Sequence, residues 1–339
     1  MRCDGAATLR AFAQFPEGAM AINLALDYIS LNRTEEAKTV IQAALNRKVD
    51  DPLLRGSAYL LAFVLKDEAG MEQQLLIASG KPEFEELLLG LDSDTQAYFG
   101  RVQKARLLSE QAAQSARRNS HKEAAALLLA RRAVREAQFG NKTLALRVAT
   151  LALALAPGHD VRANAALALA VAGDTAEAKR VADELNRAYP MDTMMQNYSL
   201  PCILAAVQIS HNQPRRALEL LERTSSYEIG EASLDRLYPA YFRGQAYLLA
   251  GNGTAAAGEF EKVLDHPGLV LNSHLGPLAR LSLARARMLE ARSARDETAT
   301  DAARTKARAA YEDFLTLWKV ADPDIPILRQ AKAEYAKLQ

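Results

Sequence analysis

Breaks of one chemical kind recur between runs of helix-forming residues in this chain, and they constrain its fold more than any other feature. At Gly173-Asp174-Thr-Ala-Glu177 the glycine can adopt the left-handed conformation that ends a helix, and Asp174 can cap the next helix. Glu177 stands at the capping-box position, which strengthens the start signal. Similar breaks stand at Leu31–Thr34, Phe139–Asn141 and Ala250–Asn252. This pattern predicts consecutive helical hairpins.

The spacing of prolines predicts a repeat. Pro52, Pro82, Pro157, Pro190 and Pro267 stand near the ends of amphipathic stretches, and the gaps between them are 30, 75, 33 and 77 residues. Two gaps near one period and two near twice that period predict a unit of about 30 to 39 residues. With 17 Gly and 12 Pro among 339 residues, the composition disfavours disorder and turn-rich all-β folds. We therefore expect a long, alanine-rich, all-α chain.

Small residues recur at fixed offsets within the predicted hairpins. Gly244-x-x-Tyr247 is followed by Ala256-x-x-x-Phe260 and then by Pro267. Two antiparallel helices approach closely where one of them carries Gly or Ala, while a large residue one turn away fills the adjoining gap. These residues resemble the signature of the tetratricopeptide repeat (TPR), in which G-x-x-Y, A-x-x-x-F and P follow in this order. The resemblance implies a right-handed α-solenoid of about eight TPR-like hairpins.

This reading divides the chain into a TPR-like solenoid, residues 18–322, and two terminal segments. Residues 1–17 resemble the second helix of a pair whose first helix is missing, so we expect a remnant helix that caps the N-terminus of the solenoid and belongs to a longer protein. Residues 323–339 are expected to form a C-terminal capping helix. The predicted pairs span residues 18–50, 51–82, 83–120, 121–157, 158–191, 192–230, 234–268 and 274–322.

Three stretches near the C-terminus carry a narrower resemblance. They are Leu237–Tyr247, Leu264–Asn272, and the tail formed by Tyr311–Lys319 and Asp322–Leu328. They resemble the C-terminal TPR region of bacterial, particularly acidobacterial-type, eukaryotic-like serine/threonine kinases and of related winged-helix regulators. The resemblance implies an interaction module beside an N-terminal effector domain. Because the Gly-rich loop, catalytic loop and metal-binding motif of a kinase do not occur in this sequence, we expect the chain itself to be noncatalytic.

Charge and cysteine content limit the classes of partner and the cellular compartment that we expect. Lys+Arg 42 against Asp+Glu 41 leaves a net charge of +1, which disfavours a nucleic-acid binder, and we interpret the more basic stretch 275–310 as a solvated helix face. Apolar stretches are too short for a membrane helix, and Cys3 and Cys202 form no disulfide framework. We predict a cytoplasmic protein with no membrane insertion. A membrane helix upstream in a parent protein would instead make the chain an extracytoplasmic sensor.

Few residues offer catalytic or metal chemistry. The five histidines show no zinc-ligand spacing, although Asp265, His266 and His274 share one predicted loop, which leaves a metal or acid/base role open there. The stretch Gly251–Ala256 satisfies G-x-G-x-x-A, yet it follows a helical run rather than a strand, so we interpret it as an inter-helix turn. We predict no cofactor and no metal.

The function must then come from shape. Stacked hairpins leave the first helices of successive pairs on a concave face, which suits a peptide or protein segment. We therefore predict a scaffold or sensor module. The alternatives are a helical-toroid enzyme and a helical-repeat nucleic-acid-binding protein. The family's groove positions, projected onto this chain, give as partner-binding candidates Asn23, Tyr98, Arg131, Arg135, Gln138, Asn164, Tyr238, Tyr241 and Gln245.

Overall fold

The computed structural model describes residues 18–230, 234–294 and 296–338. Within these ranges 80% of the residues are helical and none forms a strand, which confirms the all-α prediction. The predicted remnant helix, residues 1–17, and Cys3 lie outside the described residues. The α-helices are α1 Gly18–Ser30, α2 Thr34–Asn46, α3 Pro52–Val64, α4 Glu68–Ala78, α5 Pro82–Tyr98, α6 Val102–Arg118, α7 Lys122–Gln138, α8 Lys142–Leu155, α9 His159–Ala172, α10 Thr175–Ala188, α11 Leu200–Ser210, α12 Pro214–Leu221, α13 Tyr238–Leu249, α14 Gly253–Leu264, α15 Pro267–Val270, α16 Leu275–Ser293, α17 Glu297–Leu317 and α18 Pro326–Tyr335.

The same turn joins the two helices of seven successive pairs, and it gives the chain its repeat-like architecture. In each turn one residue has a positive φ, and the N–H that follows it donates to the carbonyl five residues earlier. At Gly173, for example, φ is 106° and the Asp174 N–H donates to the Leu169 carbonyl at 2.9 Å. Asp174 Oδ1 also accepts from the Glu177 N–H at 3.2 Å, as the sequence predicted. The positive-φ residues of these turns are Asn32, Lys66, Gly100, Gly140, Gly173, Asn212 and Gly251.

The crossing of α13 and α14 shows how small residues allow close helix packing. A Cβ placed on Gly244 would lie 2.5 Å from Cε1 of Phe260, so only glycine fits opposite this ring. Tyr241 completes the contact with an edge-on ring 5.8 Å from the Phe260 centroid. The close approach predicted from Gly244 and Phe260 is therefore confirmed.

Alanine fills much of the core. Helix α9 buries alanines on several sides, including Ala163, Ala166 and Ala170, and it contacts α7, α8, α10 and α11. Alanine loses no side-chain entropy in a helix and lets neighbouring backbones approach. A helix of this composition can therefore lie between several others, at the centre of the bundle.

The C-terminal quarter of the chain contacts helices far earlier in the sequence, and this departs from the neighbour-only contacts of the predicted solenoid. In a solenoid each repeat contacts only its neighbours. Here the Trp318 indole N–H donates to the Tyr98 carbonyl at 2.9 Å, and the Asp322 N–H donates to the Gly100 carbonyl at 3.0 Å. A Cβ on Gly100 would lie 2.4 Å from that of Ala321, so the missing side chain permits this contact. The chain thus folds back on itself.

Helix α18 follows the same pattern. It was expected to cap the last pair, and Arg285 of α16 and Tyr311 of α17 do bond Oε2 of its Glu334, both at 2.9 Å. Its start, however, is tied to the turn after α7, because the Ile327 N–H donates to the Phe139 carbonyl at 3.3 Å. The helix therefore joins the last pair to the middle of the chain. In the described ranges no helix combines the length and hydropathy needed to cross a bilayer.

Candidate functional site

Five first helices, α1, α3, α5, α7 and α9, contribute side chains to one recess, which we call the inner cleft. Its volume is about 360 Å³, and its walls include Ile29, Leu60, Asp94, Arg131 and Asn164, one from each helix. The repeated turns present the same side of each first helix to this recess, and we call that shared surface the inner face. The opposite wall is formed by residues 234–238 and 268–274.

Residues 267–274, which we call the inner segment, lie across the inner face. The Gly268 N–H donates to Oδ1 of Asn32 at 3.1 Å, and Nδ2 of Asn272 donates to the Leu91 carbonyl at 2.8 Å. Leu271 has φ 52° and ψ −135°, a conformation that a branched side chain adopts only under constraint from its surroundings. The inner face thus already binds an irregular stretch of polypeptide.

A buried charge network stands behind the inner cleft. Arg135 is 2% exposed, and its guanidinium donates to Oδ1 of Asp94 at 2.9 Å and to the Ser93 and Ser109 hydroxyls at 3.1 and 2.9 Å. Burial raises the pKa of the Asp94 carboxyl, while Arg135 and Arg131 oppose that shift. Arg135 therefore holds the Asp94 carboxylate from the buried side, and Arg131 faces the same carboxylate from the open side of the inner cleft.

His274 closes one end of the inner cleft. Its Nε2 lies 3.2 Å from the Tyr238 hydroxyl, and its ring meets Phe139 edge-on at 5.9 Å. The pKa of His274 is lowered from 6.5 to about 4, mainly by burial; Asp235 opposes this shift and Arg135 adds to it. The imidazole is therefore neutral at pH 7.

A second and larger recess, which we call the large cavity, lies on the other side of the inner segment. Its volume is about 850 Å³, and Val270 and Leu271 line both recesses. Phe63, Tyr98 and Phe99 form an aromatic cluster on its wall, with Tyr98 5.1 Å from Phe63 and 5.2 Å from Phe99 between ring centroids. These three side chains are half-buried, so their rings remain partly accessible from the cavity.

The structure distributes the predicted partner-binding residues over several environments. Arg131, Asn164 and Tyr238 line the inner cleft, although Asn164 and Tyr238 are largely buried in its wall. Tyr98 lines the large cavity and accepts a hydrogen bond from Arg280 at 3.3 Å. Of the nine candidates, Arg131 is the one that is exposed and lines a recess among the described residues.

Three other predicted positions need correction. Arg135 is buried in the charge network, and Tyr241 packs on Phe260, so neither side chain is available to a partner. Gln245 donates to the Ser282 hydroxyl at 2.9 Å, because α16 covers this part of α13. Projection along one helix cannot show these partners, since they come from neighbouring helices. Asn23, which is exposed, and Gln138, which is half-buried, line neither recess in the described part of the chain.

The predicted loop cluster has structural partners. Nδ1 of His266 lies 2.7 Å from the Lys262 carbonyl oxygen, whereas His274 faces Tyr238. No group of three or more potential metal ligands occurs among the residues that the structure describes. The stretch Gly251–Ala256 contains the turn between α13 and α14, and Oδ1 of Asn252 accepts the Ala255 N–H at 3.1 Å.

Sequence reasoning missed the inner segment and most of the large cavity. Phe63 and Phe99 belong to different pairs, and no local spacing connects them with the residues around Val270. One available signal was the connection between α14 and α16, which is longer than the short turns inside the pairs.

The fold and these two recesses define an all-helical protein of repeat-like architecture with a partly filled inner face. Neither a protein-family model nor a curated protein matches this chain.

Proposed function

We propose that this chain is a noncatalytic protein-interaction module that holds a segment of a partner protein in the inner cleft. One observation carries the proposal: the inner segment, an irregular stretch of polypeptide, already lies on the inner face, where its Asn272 amide donates to the Leu91 carbonyl, and its Gly268 N–H donates to Asn32 in the adjoining α1–α2 turn. A surface that holds one irregular stretch of polypeptide can hold another, because every peptide unit offers the same donor and acceptor.

The cleft also offers a specific anchor. Arg131 is exposed at its open side, and apolar side chains such as Leu26 and Leu60 line the floor. Arginine beside apolar surface is typical of positions that dominate binding energy, since the guanidinium forms strong bonds to carboxylates and carbonyls. A partner segment with an acidic or carbonyl group opposite Arg131 fits this arrangement.

The TPR resemblance supports two further parts of the proposal. The pairs stack with a right-handed superhelical sense, and the chain is the TPR portion of a larger serine/threonine kinase or winged-helix regulator. The reading frame upstream of this sequence tests the second part. A kinase or winged-helix domain encoded there would support it, and an unrelated domain would contradict it.

The polar groups of the cleft support a noncatalytic role. Asp94 is paired with Arg135, Asp235 accepts the Ser273 hydroxyl at 2.6 Å, and His274 faces Tyr238. The contacts between the C-terminus and α5–α7 favour the helical-toroid enzyme as the second candidate, because they close the chain around the two recesses. Turnover of a substrate by the purified chain would decide for that candidate.

Binding measurements with a matched pair of variants test the proposed site. A partner identified by affinity purification would be purified and titrated against Arg131→Gln and against Arg147→Gln, whose arginine is exposed on α8 outside both recesses. We expect Arg131→Gln to weaken binding on the order of tenfold, more at low salt, and Arg147→Gln to leave it unchanged. Equal affinities for the two variants would place the interface elsewhere.

A further inference from the structure

We infer that the large cavity is a binding site for a small organic anion with an aromatic or aliphatic body. This site is distinct from the inner cleft, and the inference does not depend on the proposed protein partner. It rests on the size of the cavity, on its aromatic wall, and on the lack of ion pairs, among the described residues, at the four cations that line it.

The size and lining of the cavity suit a small molecule. Sites for small ligands commonly measure about 300 to 1,000 Å³ and combine apolar walls with a few polar groups. The large cavity, at about 850 Å³, falls within this range. Met71, Leu75, Leu264 and Val270 extend the apolar surface of the aromatic cluster. An aromatic or branched aliphatic body would find ring faces and edges to pack against.

Four cations at this cavity lack acidic partners. Lys66, Arg101, Lys104 and Arg280 line it, and none of them forms an ion pair with a carboxylate among the described residues. Several half-buried arginines elsewhere in the chain do form ion pairs, as Arg106 does with Glu136 at 2.7 Å. The contrast indicates that these cations are available to an external anion.

Two of the cations flank the aromatic cluster in fixed positions. The Arg101 guanidinium lies 5.3 Å from the Phe99 ring centroid, and Arg280 donates to the Tyr98 hydroxyl at 3.3 Å and to the Gly276 carbonyl at 3.2 Å. Side chains held in this way lose less entropy when a ligand binds. The arrangement places positive charge next to the surface that would hold the apolar body.

The acidic residues at the cavity leave this side open. Glu68 and Glu72 belong to α4, whereas Lys104 belongs to α6 and Arg280 to α16. Asp92 is occupied within the wall, because Nε2 of Gln96 donates to it at 2.6 Å and the Tyr59 hydroxyl at 3.4 Å. The ligand's anionic group would therefore bind on the Arg101–Arg280 side, and its body would extend over Phe63.

Two dyes that differ in one charge test the inference. 8-Anilinonaphthalene-1-sulfonate is an apolar anion, and N-phenyl-1-naphthylamine is its uncharged counterpart. Both would be titrated by fluorescence into the full chain and into the double variant Arg101→Gln/Lys104→Gln. We expect the wild type to bind the sulfonate dye at one saturable site, and the double variant to bind it about tenfold more weakly. Binding of the uncharged dye should change less than about twofold.

Matched controls localise the effect. Arg147→Gln/Lys179→Gln removes one exposed arginine and one exposed lysine outside the cavity and should change neither dye. Met71→Trp narrows the cavity and should weaken binding of both dyes, whereas Leu107→Trp, at a position that is 59% exposed on α6, should not. Circular dichroism checks that each variant is folded, and the charge variants decide the question if Met71→Trp is not.

Three results would overturn the inference. Absence of saturable binding of the sulfonate dye to the wild type would remove the site. Equal loss of both dyes in Arg101→Gln/Lys104→Gln would show that charge plays no part. An unchanged affinity for the sulfonate dye in folded Met71→Trp would place its site outside the large cavity.

Discussion

At the residue scale, two glycines only fourteen positions apart should respond to the same substitution with opposite signs. A Cβ on Gly244 meets the Phe260 ring at 2.5 Å, whereas a Cβ on Gly258 meets nothing within 4 Å. We expect Gly244→Ala to lower the free energy of unfolding by about 1–3 kcal/mol through overpacking. Gly258→Ala should raise it by about 0.5–1 kcal/mol, because alanine restricts the unfolded chain.

Urea titrations of the two variants measure both effects. Similar destabilisation by Gly244→Ala and Gly258→Ala would show that the α13–α14 crossing is looser than described here.

His274 should make stability depend on pH. Its pKa is lowered from 6.5 to about 4 in the folded chain, so the folded state holds the neutral ring while the unfolded state takes up a proton first. The contribution is fully present above pH 6.5 and is lost as the pH falls towards 4. The loss from this one group is at most about 1.4 kcal/mol per pH unit.

Unfolding free energies at pH 7, 6 and 5 test this expectation. The fall between pH 7 and 5 should be smaller in His274→Gln than in the wild type. Identical pH profiles for the two chains would mean that another group sets the dependence. The comparison leaves three neighbours of His274 unchanged. They are Asp235 and Arg135, which act on its pKa, and Tyr238, which contacts it.

At the scale of elements, local signals predict the helices well and the inner segment poorly. The turns at Gly140, Gly173 and Gly251 are visible in the sequence because glycine tolerates the positive φ that ends a helix. Helix α15 and the residues after it are held instead by Asn32 and Leu91, some 180 to 240 positions away. No local pattern encodes such contacts, so they could not be predicted from periodicity.

The inner segment should detach when its closest contact is blocked. A Cβ on Gly268 would lie 2.0 Å from the Ile29 carbonyl oxygen, and backbone cannot move aside as a flexible side chain can. We expect Gly268→Ala to speed amide hydrogen exchange across residues 267–274 and at the end of α1. In Gly268→Ala, exchange in α14 should be unchanged. The control substitution is Gly258→Ala, which lies in α14. Unaltered exchange in residues 267–274 would show that this segment is not anchored through Gly268.

At the scale of the whole molecule, the closure of the chain depends on contacts that a repeat pattern does not contain. Trp318 and Tyr98 meet across 220 positions, and Gly100 leaves room for Ala321. The accessibility of side chains near the inner cleft also depends on contacts between pairs. Arg131 was found by projecting the groove positions of the TPR family onto the chain, whereas the burial of Arg135 depends on Asp94 of a neighbouring pair. Sequence reasoning therefore predicts which helices face inward better than which side chains remain accessible.

The central claim is that the inner cleft is where a partner protein binds. Site-specific photocrosslinking in the native cell tests it most directly, with benzoylphenylalanine replacing Leu26 in the cleft, Arg147 on α8, or Leu107 on α6. Of these three residues only Leu26 lines the cleft, and its replacement leaves Arg131 in place. We predict a crosslink to a second protein from position 26 and none from positions 147 and 107. A crosslink from position 147 or 107 with none from 26 would contradict the account.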